Sequence, residues 1–266
     1  MDIKSNFGKK KIIIGMAHFT PLPGFPLYED DRGIDYIIRR IRDDVKNLQD
    51  GGVDYIMFCN ENDRPYRLKA DYTSVAVMGR TIGEISREIK VPFGVDILWD
   101  PIAAISVAKA TGASFIREII TGAYVSDMGL WNTNVGELYR YRKLIDADNI
   151  DIFFNISAEF AYNLDRRPLE EIAKSVVFSS LADVILVSGP KTGISPSLEM
   201  IRKVKEGVKD VPVFVNTGLN TENVKELLKI ADGAIVGSSL KKEGVTWNPV
   251  DKERVKKLMK VVSEIK

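Results

Sequence analysis

The 266-residue chain carries a single histidine, His18, in the stretch GMAHFTPLPG, where an apolar run meets a proline-rich loop. Histidine is the side chain whose ordinary pKa lies nearest neutrality, so His18 is a candidate acid or base, expected to be solvent-accessible and to titrate. In a purely structural role it would only hydrogen-bond the loop backbone around PLPGFP. Asp96 and Glu118, each at the end of an apolar run, are candidates for the second proton carrier. Arg117 directly precedes Glu118; its guanidinium suits developing negative charge on a substrate, or a structural ion pair with a neighbouring carboxylate. A hard divalent ion such as Mg²⁺ on Asp96, Glu118 and Glu159 is an alternative use of the same carboxylates, with no diagnostic motif behind it. Asn60, Asp63, Asn155, Lys191 and Asn216 follow other apolar runs and are candidate substrate contacts. Cys59, the only cysteine, reads as a small buried side chain, and alone it can form neither an internal disulfide nor a thiolate zinc cluster.

Small residues supply a different chemistry. SGPKTG, VNTGLNTENV and IVGSSLKKEG each place glycine, serine or threonine just after an apolar run, where backbone N–H groups can approach an anion. Gly189, Thr217, Gly218, Gly237 and Ser238 are therefore candidate phosphate contacts, against the plainer reading of ordinary turn glycines.

These residues need a frame that gathers them. Runs rich in Ile, Val and Phe recur near 12–16, 53–58, 93–98, 114–118, 151–156, 183–188, 213–216 and 233–236, apolar at nearly every position, as strands buried on both faces are. Between them lie segments with one-sided helical spacing, such as Ile34, Ile37, Ile38, Ile41, Val45 and Leu48. Asp100-Pro101, Arg167-Pro168 and Ser195-Pro196 mark helix starts, as does Asn134 with Glu137. Eight βα units predict a (β/α)₈ TIM barrel of α/β class, a single domain over 1–266 with a lead-in over 1–11. A doubly wound open sheet is the rival, but HFTPLPG replaces the Gly-rich fingerprint such sheets carry after their first strand. In a barrel the strand ends share one mouth, and there every candidate above would meet. The long segment TGAYVSDMGLWNTN, with HFTPLPGFPLYEDD, predicts a lid in which Tyr124, Trp131 and Phe19 offer apolar surface.

Composition narrows the partners. Hydrophobic residues make up 45% and charged residues 28%, with 38 basic against 37 acidic side chains, so no electrostatic pull toward nucleic acid or an anionic membrane surface is expected. The short run Lys9-Lys10-Lys11 reads as a solvated approach to the first strand. No apolar stretch reaches the ~18 residues of a membrane span and the start lacks a secretory segment, so a cytoplasmic protein without membrane insertion is expected. The expected partner is a small phosphorylated molecule, with self-association into a homo-oligomer left open.

GMAHFTPLPG, GGVDYIMFCNENDRPY, ASFIREIITGAYVSDMG, GPKTG, TGLNTENV and IVGSSLKKEGVTWNPVDKERV together resemble the BtpA family, also called BtpA/SgcQ, over almost the whole chain. The resemblance implies a ribulose-phosphate-binding type of barrel. For activity two classes are expected: an enzyme of lyase, isomerase or nucleosidase type, in which the phosphate of a sugar phosphate or nucleotide-like substrate is the anchor and the strand-end residues act on its other end, or, as the resemblance to the cyanobacterial member associated with photosystem I implies, a non-catalytic assembly or regulatory factor. A third reading is an FMN-binding protein, because the same loops can hold that cofactor's phosphate. His18, Asn60, Asp63, Arg117, Gly122 and Asp127 match the family pattern, as do Gly189, Thr192, Gly193, Gly218, Gly237 and Ser238. The chain departs from it at Cys59, where a glutamate is usual, at Trp99, where an arginine is usual, and at Glu159-Phe160, where Lys-His is frequent.

Overall fold

The computed structural model describes residues 10–265. Eight parallel strands close into a barrel: β1 (Ile12–His18), β2 (Tyr55–Cys59), β3 (Phe93–Asp96), β4 (Phe115–Glu118), β7 (Asp151–Asn155), β9 (Val184–Val187), β10 (Val213–Val215) and β11 (Gly233–Val236). The first and last strands pair in register from Ile12 with Gly233 to Gly15 with Val236, which completes the ring. Each expected strand is present within two residues of its expected bounds. Helices α1 (Gly33–Gly51), α2 (Tyr72–Ile85), α3 (Pro101–Thr111), α4 (Val135–Leu144), α5 (Leu169–Ser180), α6 (Leu198–Gly207), α7 (Val224–Ile230) and α8 (Lys252–Ser263) fill the crossovers and the carboxyl end. Of the lead-in, residues 1–9 lie outside the described residues; Lys10 pairs with Asp54 at the amino-terminal end of the barrel.

The strands are apolar throughout because each serves two cores. Alternate residues point into the barrel or out toward the helices. Ile13, Ala17, Ile56 and Val95 pack against the helical layer, where α1 contributes Ile37, Ile38, Ile41, Val45 and Leu48. Ile12, Ile14, Met16, Tyr55, Met57, Phe115, Phe153 and Phe214 fill the interior. There Phe115 and Phe153 stack at 4.5 Å, and Gly94 leaves the space that Phe115 occupies, since a Cβ there would lie 2.3 Å from the ring. This aromatic layer plugs the barrel and forms the base of everything above it.

Helix starts follow the capping signals. The Asp100 carboxylate accepts from the N–H groups of Ile102 and Ala103, with Pro101 in the first helical position, and Asn134 Oδ1 accepts from Glu137 N. Pro168 occupies the cap position of α5, and Pro196 precedes α6, which is capped by Ser197. These two prolines sit one and two residues earlier than expected.

The long segment after β4 is not an irregular lid. It folds into a hairpin of β5 (Ala123–Ser126) and β6 (Gly129–Asn132), and β5 also pairs with β8 (Ala161–Asn163) from the loop after β7, making a three-stranded antiparallel sheet. Tyr124 and Trp131 lie opposite each other in this sheet and face inward, both 2% exposed, with Trp131 against Trp99 at 4.6 Å. Phe19 packs edge-on against Phe58, fully buried beside the helices. The three aromatics expected to cover a ligand instead anchor the roof and the first loop.

Candidate active site

Strand alternation delivers the site. The inward positions just above the aromatic layer are polar: His18, Asp96, Arg117, Asn155, Ser188 and Asn216, each at or just past the carboxyl end of its strand. A cavity of about 380 Å³ opens over them. Of the sequence-derived candidates, His18, Arg117, Glu118, Asn155, Asn216, Thr217, Gly218, Gly237 and Ser238 line it.

Arg117 is the centre of the base. Its Nε donates to Asp96 Oδ2 at 2.8 Å, its Nη2 reaches the same oxygen, and its Nη1 donates to Asn216 Oδ1 at 3.1 Å. Asn216 Nδ2 passes the chain on to Ser188 Oγ at 2.8 Å, and Ser188 Oγ lies 3.2 Å from both Asn155 Oδ1 and Glu159 Oε1. Thr192 Oγ1 donates to the other Glu159 oxygen at 2.9 Å. The guanidinium is thereby locked in one orientation by partners on four strands or their loops.

Asp96 and Glu118 form a buried acid pair. Burial and the adjacent Asp96 charge raise the Glu118 carboxyl well above its ordinary range, so it keeps its proton. Glu118 Oε1 accepts from Ile119 N at 2.7 Å. Asp96 itself is fully buried beneath Arg117 and does not reach the cavity wall, contrary to its expected place as a substrate-facing proton carrier. Among the described residues no cluster of three or more His, Cys, Asp or Glu has the arrangement of a metal site, so Asp96, Glu118 and Glu159 do not form the cation-binding group considered from sequence.

His18 reaches the cavity but not the solvent. It is 6% exposed, its Nδ1 lies 3.5 Å from the Thr246 carbonyl, and its ring sits against Gly237. Burial, aided by the positive charge of Lys241, lowers its pKa well below the ordinary value, so the expected proton carrier of neutral pH is a neutral imidazole.

Several candidates face elsewhere. Asn60 Oδ1 accepts from Leu98 N at 2.8 Å and its amide donates to Asp63 Oδ2, while Asp63 Oδ1 accepts from Leu22 N. Both residues brace the proline-rich loop and the end of β3, and neither lines the cavity. The Gly189 N–H is spent on Thr217 Oγ1 at 2.8 Å, and that hydroxyl donates to Ile194 O, which ties the loops after β9 and β10 together. Lys191 is exposed and outside the cavity lining.

Sequence reasoning missed other lining groups. Arg254, in the first turn of α8, donates from Nε to Ser239 O at 2.9 Å and so stands beside the turn at Gly237 and Ser238. Nothing in its local sequence separates it from a surface arginine. Glu61 lines the cavity with its pKa raised to about 7 by burial and by Glu159. Trp99 and Phe160, two departures from the family pattern, lie on the same wall.

The BtpA family model matches residues 9–264. The sgc region protein SgcQ of Escherichia coli (strain K12) is 44% identical over 99% of this chain and 98% of its own length. The photosystem I biogenesis protein BtpA of Synechocystis sp. is 30% identical, covering 99% and 92%. Among solved structures, (S)-3-O-geranylgeranylglyceryl phosphate synthase from Thermoplasma acidophilum superposes with a TM-score of 0.62 over the full length of both chains at 15% identity, a likeness of fold. Phosphoribosyl anthranilate isomerase from Thermus thermophilus does so with a TM-score of 0.57 at 10% identity, covering 95% and 98%. On the family match and these relatives, the chain belongs to the BtpA family.

Proposed function

We propose that the protein binds a small phosphorylated molecule in the 380 Å³ cavity and acts on it by acid–base chemistry of the lyase, isomerase or nucleosidase type. One observation carries this reading: a single cavity joins the glycine turns after β10 and β11, with Arg254 beside them, to the buried Arg117–Asp96–Glu118 group. Gly218, Leu219, Gly237 and Ser238 offer backbone N–H groups where barrels of this type hold a phosphate. The Thermoplasma acidophilum neighbour was solved with sn-glycerol-1-phosphate as its substrate, which agrees with a phosphate end in such a barrel.

With the phosphate as anchor, its binding energy serves to orient the remainder of the molecule over the base. Arg117, pinned by Asp96 and Asn216, stabilises negative charge that develops there. Glu118, which keeps its proton and lines the cavity, is the acid. Neutral His18 serves as a hydrogen-bond partner beside the glycine turn.

Calorimetric titration with ribose 5-phosphate and glycerol phosphate tests the anchor. Gly237→Asp abolishes binding by placing a carboxylate in the turn, where the nearest neighbour of the new Cβ is the edge of the His18 ring at 3.2 Å. Gly218 is unsuitable for this test, since its φ is +70° and a Cβ would lie 2.1 Å from Ser195 N. Undiminished affinity in folded Gly237→Asp overturns the assignment.

A further inference from the structure

A second cavity, of about 340 Å³, opens beside the first, and the two meet at Glu61, Trp99, Phe160 and Thr192, which line both. Its walls are of another kind. Beyond the shared Trp99 and Phe160 they are built from Tyr66, Met128 and Trp247. Tyr66 meets Trp99 edge-on at 5.8 Å, and the Arg64 guanidinium lies over the Trp247 ring at 3.9 Å. Met128 comes from the turn between β5 and β6, so the three-stranded sheet closes this space from above.

Among these rings stand a few polar groups, Ser126, Asp127, Thr192 and Thr246. A flat ring with heteroatoms fits such a wall: its faces meet aromatic and thioether surface, and its edge meets the hydroxyl and carboxyl groups. An aliphatic chain would fill the volume and set those polar groups against hydrocarbon. A second phosphate would sit against the Glu61 and Asp127 carboxyls, which line the same space.

We infer that the second cavity is a subsite for a planar heteroaromatic ring, so that the ligand is a sugar phosphate bearing such a ring and not a simple sugar phosphate. The phosphate half of this assignment rests on the function proposed above; the ring half does not.

The experiment compares ribose 5-phosphate with three ring-bearing ribose monophosphates: AMP, UMP and nicotinamide mononucleotide. On the unaltered protein at least one of the three binds more tightly than ribose 5-phosphate by about 5- to 150-fold, the range that base stacking on aromatic side chains supplies. Trp247 is 39% exposed and absent from the first cavity, so Trp247→Ala removes that advantage while leaving ribose 5-phosphate binding as it was, and Trp247→Phe restores most of it. Equal affinity for all four compounds overturns the ring subsite and leaves the phosphate anchor standing. A ring advantage that survives in Trp247→Ala overturns it too. If none of the four binds, the phosphate anchor fails and the free nucleosides decide: quenching of tryptophan emission by adenosine, uridine or nicotinamide riboside, lost in Trp247→Ala, supports the subsite, and no quenching by any of them overturns it.

Discussion

Glu118 and Asp96 show how much of this site is set by one proton. With Glu118 protonated, glutamine is its near copy: Oε1 still accepts from Ile119 N and an uncharged amide takes the place of the uncharged acid. Glu118→Gln should therefore change stability by less than about 1 kcal/mol in urea denaturation while lowering turnover once an assay exists. Asp96→Asn leaves the Arg117 charge buried without its counter-ion and should cost about 3–5 kcal/mol. Equal costs for the two variants would show that Glu118 is ionised. His18 carries the opposite sign of linkage. Its folded pKa lies below the ordinary value that the unfolded chain restores, so its contribution to stability is complete above about 6.5 and is lost as pH falls toward the folded value. Its ring should give no NMR titration between about pH 6.5 and 8. The unaltered protein should also lose stability on acidification relative to His18→Asn, by at most about 1.4 kcal/mol per pH unit. The sequence located His18 at the mouth but not its burial, because the loop after Gly237 and the Thr246 carbonyl that enclose it come from the far end of the chain. Asn60 and Asp63 misled for a related reason: a polar side chain at a strand end can turn sideways to brace a loop as readily as upward to a ligand.

At the scale of elements, the caps were the most readable local signals, and they make a graded prediction. Asp100 accepts from two N–H groups of α3 and also from Ala70 N, so its carboxylate fixes the loop before α2 as well as the start of a helix. Asn134 caps only α4. Asp100→Ala should cost about 2 kcal/mol and Asn134→Ala about 1, read from chemical denaturation midpoints; equal losses would mean that the Ala70 bond contributes nothing. The eight barrel strands were legible because burial on both faces leaves uninterrupted apolar runs. The small sheet was not. Its strands are four residues or fewer, and β5 and β8 are far apart in sequence, so their pairing leaves no local trace. The alternation that puts Tyr124 and Trp131 inward and Val125 and Leu130 outward was present in AYVSDMGLWN, yet a segment this short also reads as a loop.

Across the whole molecule, the ends of the barrel are fastened by a charge buried between them. Lys241, just beyond β11, is fully buried; its Nζ donates to Met16 O of β1 at 2.9 Å and lies 3.5 Å from Asp44 of α1. Asp44 also pairs with Arg40 and accepts from Val250 N at 2.7 Å. Asp44→Ala strands the lysine and should cost about 3–5 kcal/mol by urea denaturation. Lys241→Met leaves Asp44 its other two partners and should cost distinctly less; the reverse order would mean that the lysine is held neutral. The proton on Glu118, and those that burial holds on Glu61 and Asp63 up to about pH 7, bear on the molecule as a polyelectrolyte. Each of these carboxyls is an ordinary acid in the unfolded chain, so their contribution to stability is complete below about pH 4 and fades as pH rises through the folded values. Near neutrality these retained protons make the native protein more positive than the formal +1 and shift its isoelectric point upward from the 7.7 of its composition. Melting sets them free, so the measured heat of unfolding includes the ionisation heat of whichever buffer takes them up.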